Sequence, residues 1–421
     1  MRGTVFPSAR APALFGFRHC FNPAVERAAD LALAGRVVAR LTSPLVPAPA
    51  GTSLARATNT VSTAAAALGS GEDLAVVVKQ AGRRGPEDDI AKDVVVSSLA
   101  TLLGLPVPPA LPLAGSPGID LAAGSVASLV PFSGAVSAED TARTRGVTAD
   151  AFSADLLRTS GEVLTAMTVF NQWVGNHDLH PGNILVGAEG DDGDAPLAFI
   201  DFHMSLERET RPPRRQGLDY VGESGDAPIP DADLAWALID AIRSLPDKLI
   251  ASLCARALSG RPEAGLRYAR FLSAGRHTLG RRAATGMSLL RGKAGALTRR
   301  DMAGPVMPAH PTLAPAGLPL DGQSGQPQLS DSSLCGFVSP DDAAQAALCR
   351  LEACVRFPSG DESEALTVAR QARQAVTWKI AETLRRRCGT SVVSRCETQA
   401  SRHQHRRLSA VGREMTGFLP V

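Results

Sequence analysis

No run of apolar residues in this chain approaches the roughly 18–20 that a membrane-spanning helix needs, so no transmembrane segment is expected. The N-terminal stretch MRGTVFPSARAPALFGFRHC lacks a continuous apolar centre, which argues against a secretory signal. It is basic and holds no acid before Glu26. It reads as an N-terminal extension, with an organelle-transit-like segment as the other reading. An excess of charge of one sign is missing too: a net charge of +2 gives no global electrostatic case for nucleic acid as a partner. The seven cysteines, an odd number, include no Cys-x-x-Cys pair. The late ones (Cys335, Cys349, Cys354, Cys388 and Cys396), even with His403 and His405, do not match the spacing of zinc modules. Scattered free thiols in a reducing, cytoplasmic setting are the expectation. Internal repeats are absent. Aromatics are sparse at 4%, yet a hydrophobic content of 44% suffices for a sizeable core, and 421 residues allow two or three domains.

What is present concentrates in one stretch, Asn176 to Phe202, NHDLHPGNILVGAEGDDGDAPLAFIDF. Asp178 is followed five positions later by Asn183, then by the apolar run Ile184-Leu185-Val186. A Gly/Asp-rich turn follows, and a second apolar run, Leu197 to Ile200, closes on Asp201. The pattern reads as loop, strand, hairpin turn, strand and a metal-facing aspartate. Phosphoryl transfer from a nucleotide needs this layout: one carboxylate beside the acceptor hydroxyl, and an amide oxygen and a second carboxylate to hold Mg²⁺. Mg²⁺ takes oxygen ligands and keeps several waters, so few protein ligands suffice. Asn183 and Asp201 are the candidate metal ligands, and Asp178 the group that accepts or orients the hydroxyl proton. A plain β-hairpin with Asp and Asn in its turns is the bland alternative.

Trp173 to Asn183, with Ile200-Asp201-Phe202, resembles the catalytic and metal motifs of the protein-kinase-like superfamily. The bacterial HipA-like kinases, related to the phosphoinositide lipid kinases, are the most similar branch. Asp-Leu-His-Pro-Gly-Asn is also similar to the aminoglycoside phosphotransferase and choline kinase branch. The phrase Leu103-Gly-Leu-Pro-Val-Pro-Pro109 favours the HipA-like branch. The resemblance implies an α+β, two-lobed protein-kinase-like fold, with a small β-rich lobe and a mostly helical one, and ATP with Mg²⁺ between them. It covers residues 56 to about 285.

Residues 1–55 carry a possible helix from Pro23 to Leu41 and then a Pro-rich linker. Residues 56–80 read as a hairpin turning at Gly69-Ser-Gly71, and its second strand ends on Lys79. In a kinase-type fold a lysine there pairs with the α/β-phosphates. No glycine-rich loop precedes it; Thr58-Asn-Thr-Val-Ser-Thr63 stands in its place. A helix is expected from Ile90 to Leu103, with Val95, Leu99, Leu102 and Leu103 as its stripe. By the resemblance Asp93 is the acid on this helix that pairs with Lys79, with Glu87 as a fallback. Val126 to Phe132 is a short strand at the expected hinge, and residues 56–132 form the smaller lobe.

Residues 133–290 form the larger lobe, opening on a loop and a helix from Phe152 to Trp173. His180 stands beside Asp178 among the catalytic candidates. A hydrogen bond to backbone near Asp201 is preferred for it over acid–base chemistry. The residue after Asp201-Phe202 is His203 where the motif has glycine. Arg208, Arg211, Arg214 and Arg215 lie where an acceptor would approach, and a solvated basic loop is the simpler reading. The Ala-Pro-Glu signature of ordinary eukaryotic protein kinases is missing. Helices are expected over 231–244, 246–259 and 262–290. Residues 291–345 read as a low-complexity disordered linker and 346–421 as a helical and basic tail. The expected activity is transfer of the γ-phosphoryl group of ATP to a hydroxyl, a protein serine or threonine by the resemblance. A small-molecule or phosphoinositide lipid kinase and a nucleotide-binding pseudokinase are the alternatives.

Overall fold

The computed structural model describes residues 21–36, 39–47, 60–68, 73–80, 88–114, 118, 119, 121, 124–131, 135–149, 151, 152, 155, 156, 160–176, 178, 180–188, 195–206, 231–291, 340–358 and 361–388. Alternation of apolar residues along Asp73–Gln80 (β4) buries Leu74, Val76 and Val78 and leaves Asp73 and Ala75 exposed, the period of a half-buried strand. β4 pairs antiparallel with Thr60–Ala67 (β3), from Ala67 opposite Asp73 to Thr60 opposite Gln80. Its other edge takes Val126–Leu129 (β6), which takes Ala110–Ala114 (β5), both antiparallel. Ala39–Leu41 (β1) pairs in parallel with β5 and antiparallel with β3, closing these five strands on themselves. Closure removes the exposed edges that invite aggregation. Val46–Pro47 (β2) continues along the same side of β3 as the sixth strand.

The helix expected from Pro23 to Leu41 spans only Pro23–Leu33 (α1). Asn22 caps it, accepting from the Ala24 N–H at 2.9 Å, and the chain turns at Gly35. The next residues form β1 because partner strands lie on both sides of it, information that no three-residue pattern carries. Residues 21–47 therefore belong to the folded body and are not an extension. Val25, Ala28, Leu31 and Ala32 of α1 share a core with Leu41, Leu74, Val76, Leu111 and Leu129 of the sheet.

Asp88–Leu102 (α2) is buried at every residue from Lys92 to Leu102, and its buried polar side chains are paired: Ser97, Ser98 and Thr101 donate to carbonyls within the helix, and Lys92 and Asp93 bond to the segment after Asp201. Ile90 and Val94 meet Ala110 and Val126 of the sheet, while Val95, Leu99 and Leu102 enter the helical core. A second, three-stranded antiparallel sheet follows, from Val136–Ser137 (β7), Ile184–Val186 (β8) and Leu197–Phe199 (β9), in the order β7-β8-β9. Ala138–Thr144 (α3), capped by Ser137, packs on it, so the stretch expected as a loop before the next helix holds a strand and a helix instead, the cap starting the helix despite its polar composition. The helix expected over 152–173 is shorter, Gly161–Val174 (α4), starting after Ser160, and every residue from Leu164 to Val174 is buried. Ala232–Arg243 (α5, capped by Asp231), Asp247–Ala257 (α6) and Pro262–Arg291 (α7) follow the expected order.

The segment read as a tail contributes Pro340–Arg356 (α8) and Glu362–Cys388 (α9). α9 buries Ala365, Ala369, Ala372, Val376, Ile380 and Leu384 against the same core as α2 and α5. Its packing face is largely alanine, so hydrophobic contrast around the helix is low and the sequence shows little of it. The buried Asp30 of α1 accepts from Arg370 at 3.3 Å and Arg373 at 3.4 Å, and Arg27 pairs with Glu362. The linker expected over 291–345 falls largely outside the described residues. The described chain is thus a mixed α/β structure with nine α-helices, none long and apolar enough to cross a membrane.

Candidate active site

Lys79 is one residue from the end of β4, opposite Val126 on one side and Val61 on the other. Both neighbouring strands are in place, so the side chain is buried, and a buried ammonium requires counter-ions. Its Nζ lies 2.9 Å from Asp93 Oδ2 and 2.8 Å from Asp201 Oδ1. Asp93, on α2, spends its other oxygen on the Phe202 N–H at 2.7 Å. One carboxylate on α2 therefore fixes both the strand lysine and the backbone following Asp201. Burial alone would lower the Lys79 pKa, but the charges of Asp201 and Asp93 overturn this and hold it above its ordinary value. Burial likewise works to raise Asp201, yet the Lys79 and His203 contacts hold its carboxyl well below the usual carboxylate range.

The loop after α4 is positioned by amide side chains. Asn176 Nδ2 donates to Asn171 Oδ1 at 3.1 Å, and Asn176 Oδ1 accepts from the Asp178 N–H at 3.1 Å. Asn183 Nδ2 donates to the Asp178 carbonyl at 2.7 Å and approaches its carboxylate at 3.4 Å. The Asn183 carbonyl accepts from Ile200 N–H at 3.0 Å, tying the loop to the residue before Asp201. Asp178 is half-buried and Asn183 buried. Carboxylate oxygens of Asp178 and Asp201 and a ring nitrogen of His203 all lie within 4.8 Å of one another.

His180 does not make the expected bond to backbone near Asp201. It is exposed, and its Nδ1 accepts from the Gly182 N–H at 3.0 Å, capping the 3₁₀ turn Pro181–Asn183. The tight turn at Pro181 satisfies the imidazole locally. A Cβ at Gly182 would sit 2.6 Å from His180 Cε1, so a larger residue there would displace the exposed imidazole from this contact. The imidazole beside Asp201 belongs to His203, whose Nδ1 is 2.6 Å from Asp201 Oδ1. Burial works against charge on this ring, but the hydrogen bond to Asp201 outweighs it and raises the His203 pKa.

Two residues at the site are missing from the sequence reading. His203 was visible only as the absence of a glycine. Lys92, buried next to Asp93 in the chain, donates from Nζ to the His203 carbonyl at 3.1 Å. Asp201 itself has φ 65, a left-handed conformation that Asp tolerates better than most residues. Thr60–Thr63, read as the stand-in for a glycine loop, lies within β3 and pairs with β4. Thr58, Asn59, Glu87, Arg208, Arg211, Arg214 and Arg215 lie outside the described residues.

Beside the Lys79–Asp201 pair a recess is walled by Val107, Pro108, Ala110 and Phe199, with Ser97 and Ser128 also lining it. The carboxylates of Asp178 and Asp201 and the amide of Asn183 are the hard oxygen donors that a divalent cation such as Mg²⁺ takes. Comparison of the chain with protein-family models, curated proteins and solved structures finds no match.

Proposed function

We propose that this chain is an ATP- and Mg²⁺-dependent phosphotransferase with a two-lobed, protein-kinase-like arrangement. In it the closed sheet with α1 and α2 serves as the smaller lobe and the helices from α4 onward as the larger. The observation that carries the reading is the Lys79 ammonium held between Asp93 and Asp201, with Asp178 adjoining Asp201. A lysine presented from a strand end between two carboxylates is a preset phosphate contact: Asp93 aims it, and an incoming polyphosphate shares its charge with Asp201.

Asp201 and Asn183 are the residues that would hold Mg²⁺. The amide NH₂ of Asn183 is used on Asp178, which leaves its carbonyl oxygen for the cation. When bound, Mg²⁺ neutralises phosphate charge that otherwise repels an attacking hydroxyl. Asp178, held by Asn176 and Asn183, orients that hydroxyl and takes its proton at a carboxylate oxygen. His180, its Nδ1 engaged within its own turn, shapes the loop and relays no proton to or from the substrate in this scheme. The acceptor class favoured by the likeness to HipA-like kinases is a protein serine or threonine, in a cytoplasmic setting.

The test is γ-labelled ATP with purified protein, in three arms: protein with a dephosphorylated lysate, with amino-alcohol and aminoglycoside acceptors, and with phosphoinositide vesicles. Label on protein supports the favoured acceptor, and label confined to the second or third arm assigns a small-molecule or lipid kinase. A second reading, a nucleotide-binding pseudokinase, is favoured by one observation: Asp201 Oδ1 is already engaged by the Lys79 ammonium and the His203 ring. Nucleotide binding without transfer in any arm would select it.

A further inference from the structure

Position 203 places a nitrogen base where the chain would otherwise offer only oxygen donors. Its side chain is buried, 10% exposed, and directed at Asp201, with Nδ1 2.6 Å from Oδ1. The backbone leaves the ring little choice. Phe202 N–H is fixed by Asp93 at 2.7 Å, the His203 carbonyl by Lys92 at 3.1 Å, and Asp201 turns at φ 65. The result is that one ligand atom each from Asp178, Asp201 and His203 falls within 4.8 Å of the other two. Donors on one cation at bond lengths of about 2.0–2.2 Å stand at most about 4.4 Å apart, so these three atoms are close to the separations that one cation imposes.

We propose that His203 is a metal ligand through Nδ1, making this a mixed carboxylate–imidazole site that takes a first-row transition dication such as Mn²⁺ in preference to Mg²⁺. The inference rests on the phosphotransferase reading of Asp178 and Asp201 as the cation-facing carboxylates. Its chemical basis is ligand softness. Mg²⁺ holds water and carboxylate oxygens and binds imidazole poorly, whereas transition dications bind imidazole readily. Ligation uses the neutral ring: the metal takes the Nδ1 lone pair, and the proton shared between Nδ1 and Asp201 leaves to solvent. The carboxylates of Asp93, Asp178 and Asp201 outnumber the nearby ammoniums of Lys79, paired to Asp93 and Asp201, and Lys92, bonded to the His203 carbonyl, so the cluster keeps a net negative charge for the cation. Lys79 stays on Asp93 when the cation draws on Asp201.

The experiment is Mn²⁺ binding to the full chain with ADP present, followed by electron paramagnetic resonance. Electron spin-echo modulation is read in unlabelled protein and in protein grown on [¹⁵N]histidine, which separates imidazole from adenine nitrogen. The expected result is a histidine nitrogen coupled to Mn²⁺ in the wild type that disappears in His203→Ala and persists in His180→Ala. His203→Gln, which substitutes an amide, is expected to keep Mn²⁺ binding while losing about tenfold in its preference for Mn²⁺ over Mg²⁺. Mn²⁺ bound without histidine coupling, or coupling that survives in His203→Ala, overturns the proposal and leaves the phosphotransferase reading standing. Wild-type protein that binds neither cation with ADP overturns both. Should His203→Ala fail to fold, the isotope comparison in the wild type and His180→Ala still decides.

Discussion

At the scale of residues the site is a chain of charge compensation. Lys79 is buried only because Asp93 and Asp201 meet it, so removing it strands two carboxylates. Lys79→Met is expected to abolish phosphoryl transfer and to cost about 3–5 kcal/mol in urea unfolding, the usual penalty for breaking a buried pair from one side. The pH dependence follows from the shifts. The Lys79 pKa is raised, so its contribution is complete below 10.5 and is lost as pH rises through the folded value. The Asp201 pKa is lowered, so its contribution is complete above 3.8 and is lost as pH falls through the folded value. The stability gap between wild type and Lys79→Met should therefore shrink below pH 3.8 and above pH 10.5, and between them it should grow as pH rises through the titration of His203, whose charged form Lys79 opposes. Thiols give an independent check on burial. Cys254 is fully buried and its thiol is pushed up to about 12, whereas Cys349 is exposed. Native-state alkylation at pH 8 with peptide mapping should modify Cys349 and leave Cys254 unmodified until the protein unfolds. Of the site residues, Lys79, Asp178, Asn183 and Asp201 were legible because each sits in a short local pattern: a strand end, an Asp-x4-Asn loop, and an apolar run closing on Asp. His203 and Lys92 were not legible, since their roles arise only when α2 is laid against the segment after β9.

At the scale of elements the catalytic loop depends on how α4 ends. Gly175 follows the helix at φ 68, and a Cβ there would lie 2.7 Å from the Phe271 ring. Gly175→Ala should lower stability by roughly 1–2 kcal/mol from the left-handed backbone alone. It should also reduce transfer by shifting Asn176, the residue that holds Asp178. Thermal unfolding and initial rates measured on the same preparation check both effects. The strand and helix order of 60–129, 161–174 and 231–291 was largely legible from apolar spacing and from the turn and capping residues between elements, whereas β7 and α3 fall in a stretch whose polar composition reads as loop. Elements whose identity or place is set by partners were not legible. β1 is three residues long and needs β3 and β5; α9 was expected as a helix, but its place in the core was not, because it packs through alanines. The importance given to α9 is testable: Ile380, fully buried, should cost about 2–5 kcal/mol when cut to alanine, whereas a solvated tail would show no change.

At the scale of the whole molecule, α9 joins parts of the chain far apart in sequence. It contacts α1 and α2 beside the closed sheet and α5 in the helical body, and Asp30 reaches across to Arg370 and Arg373. The elements on either side of the Lys79–Asp201 contact thus share one helix as a brace, which no local reading of the sequence predicts. In a kinase-like scheme the relative placement of those two sides governs whether Lys79, Asp178 and Asp201 converge on one substrate. The central claim is that they do so for phosphoryl transfer. The most direct measurement is single-turnover transfer of label from γ-labelled ATP, with Mg²⁺ and Mn²⁺ in parallel, to an acceptor found in the lysate. It compares wild type with the near-isosteric Asp178→Asn. The account predicts labelled product with wild type and a rate at least about 10²-fold lower with the variant, while ATP binding is unchanged. Equal rates in the two proteins, or no ATP binding by either, would contradict it.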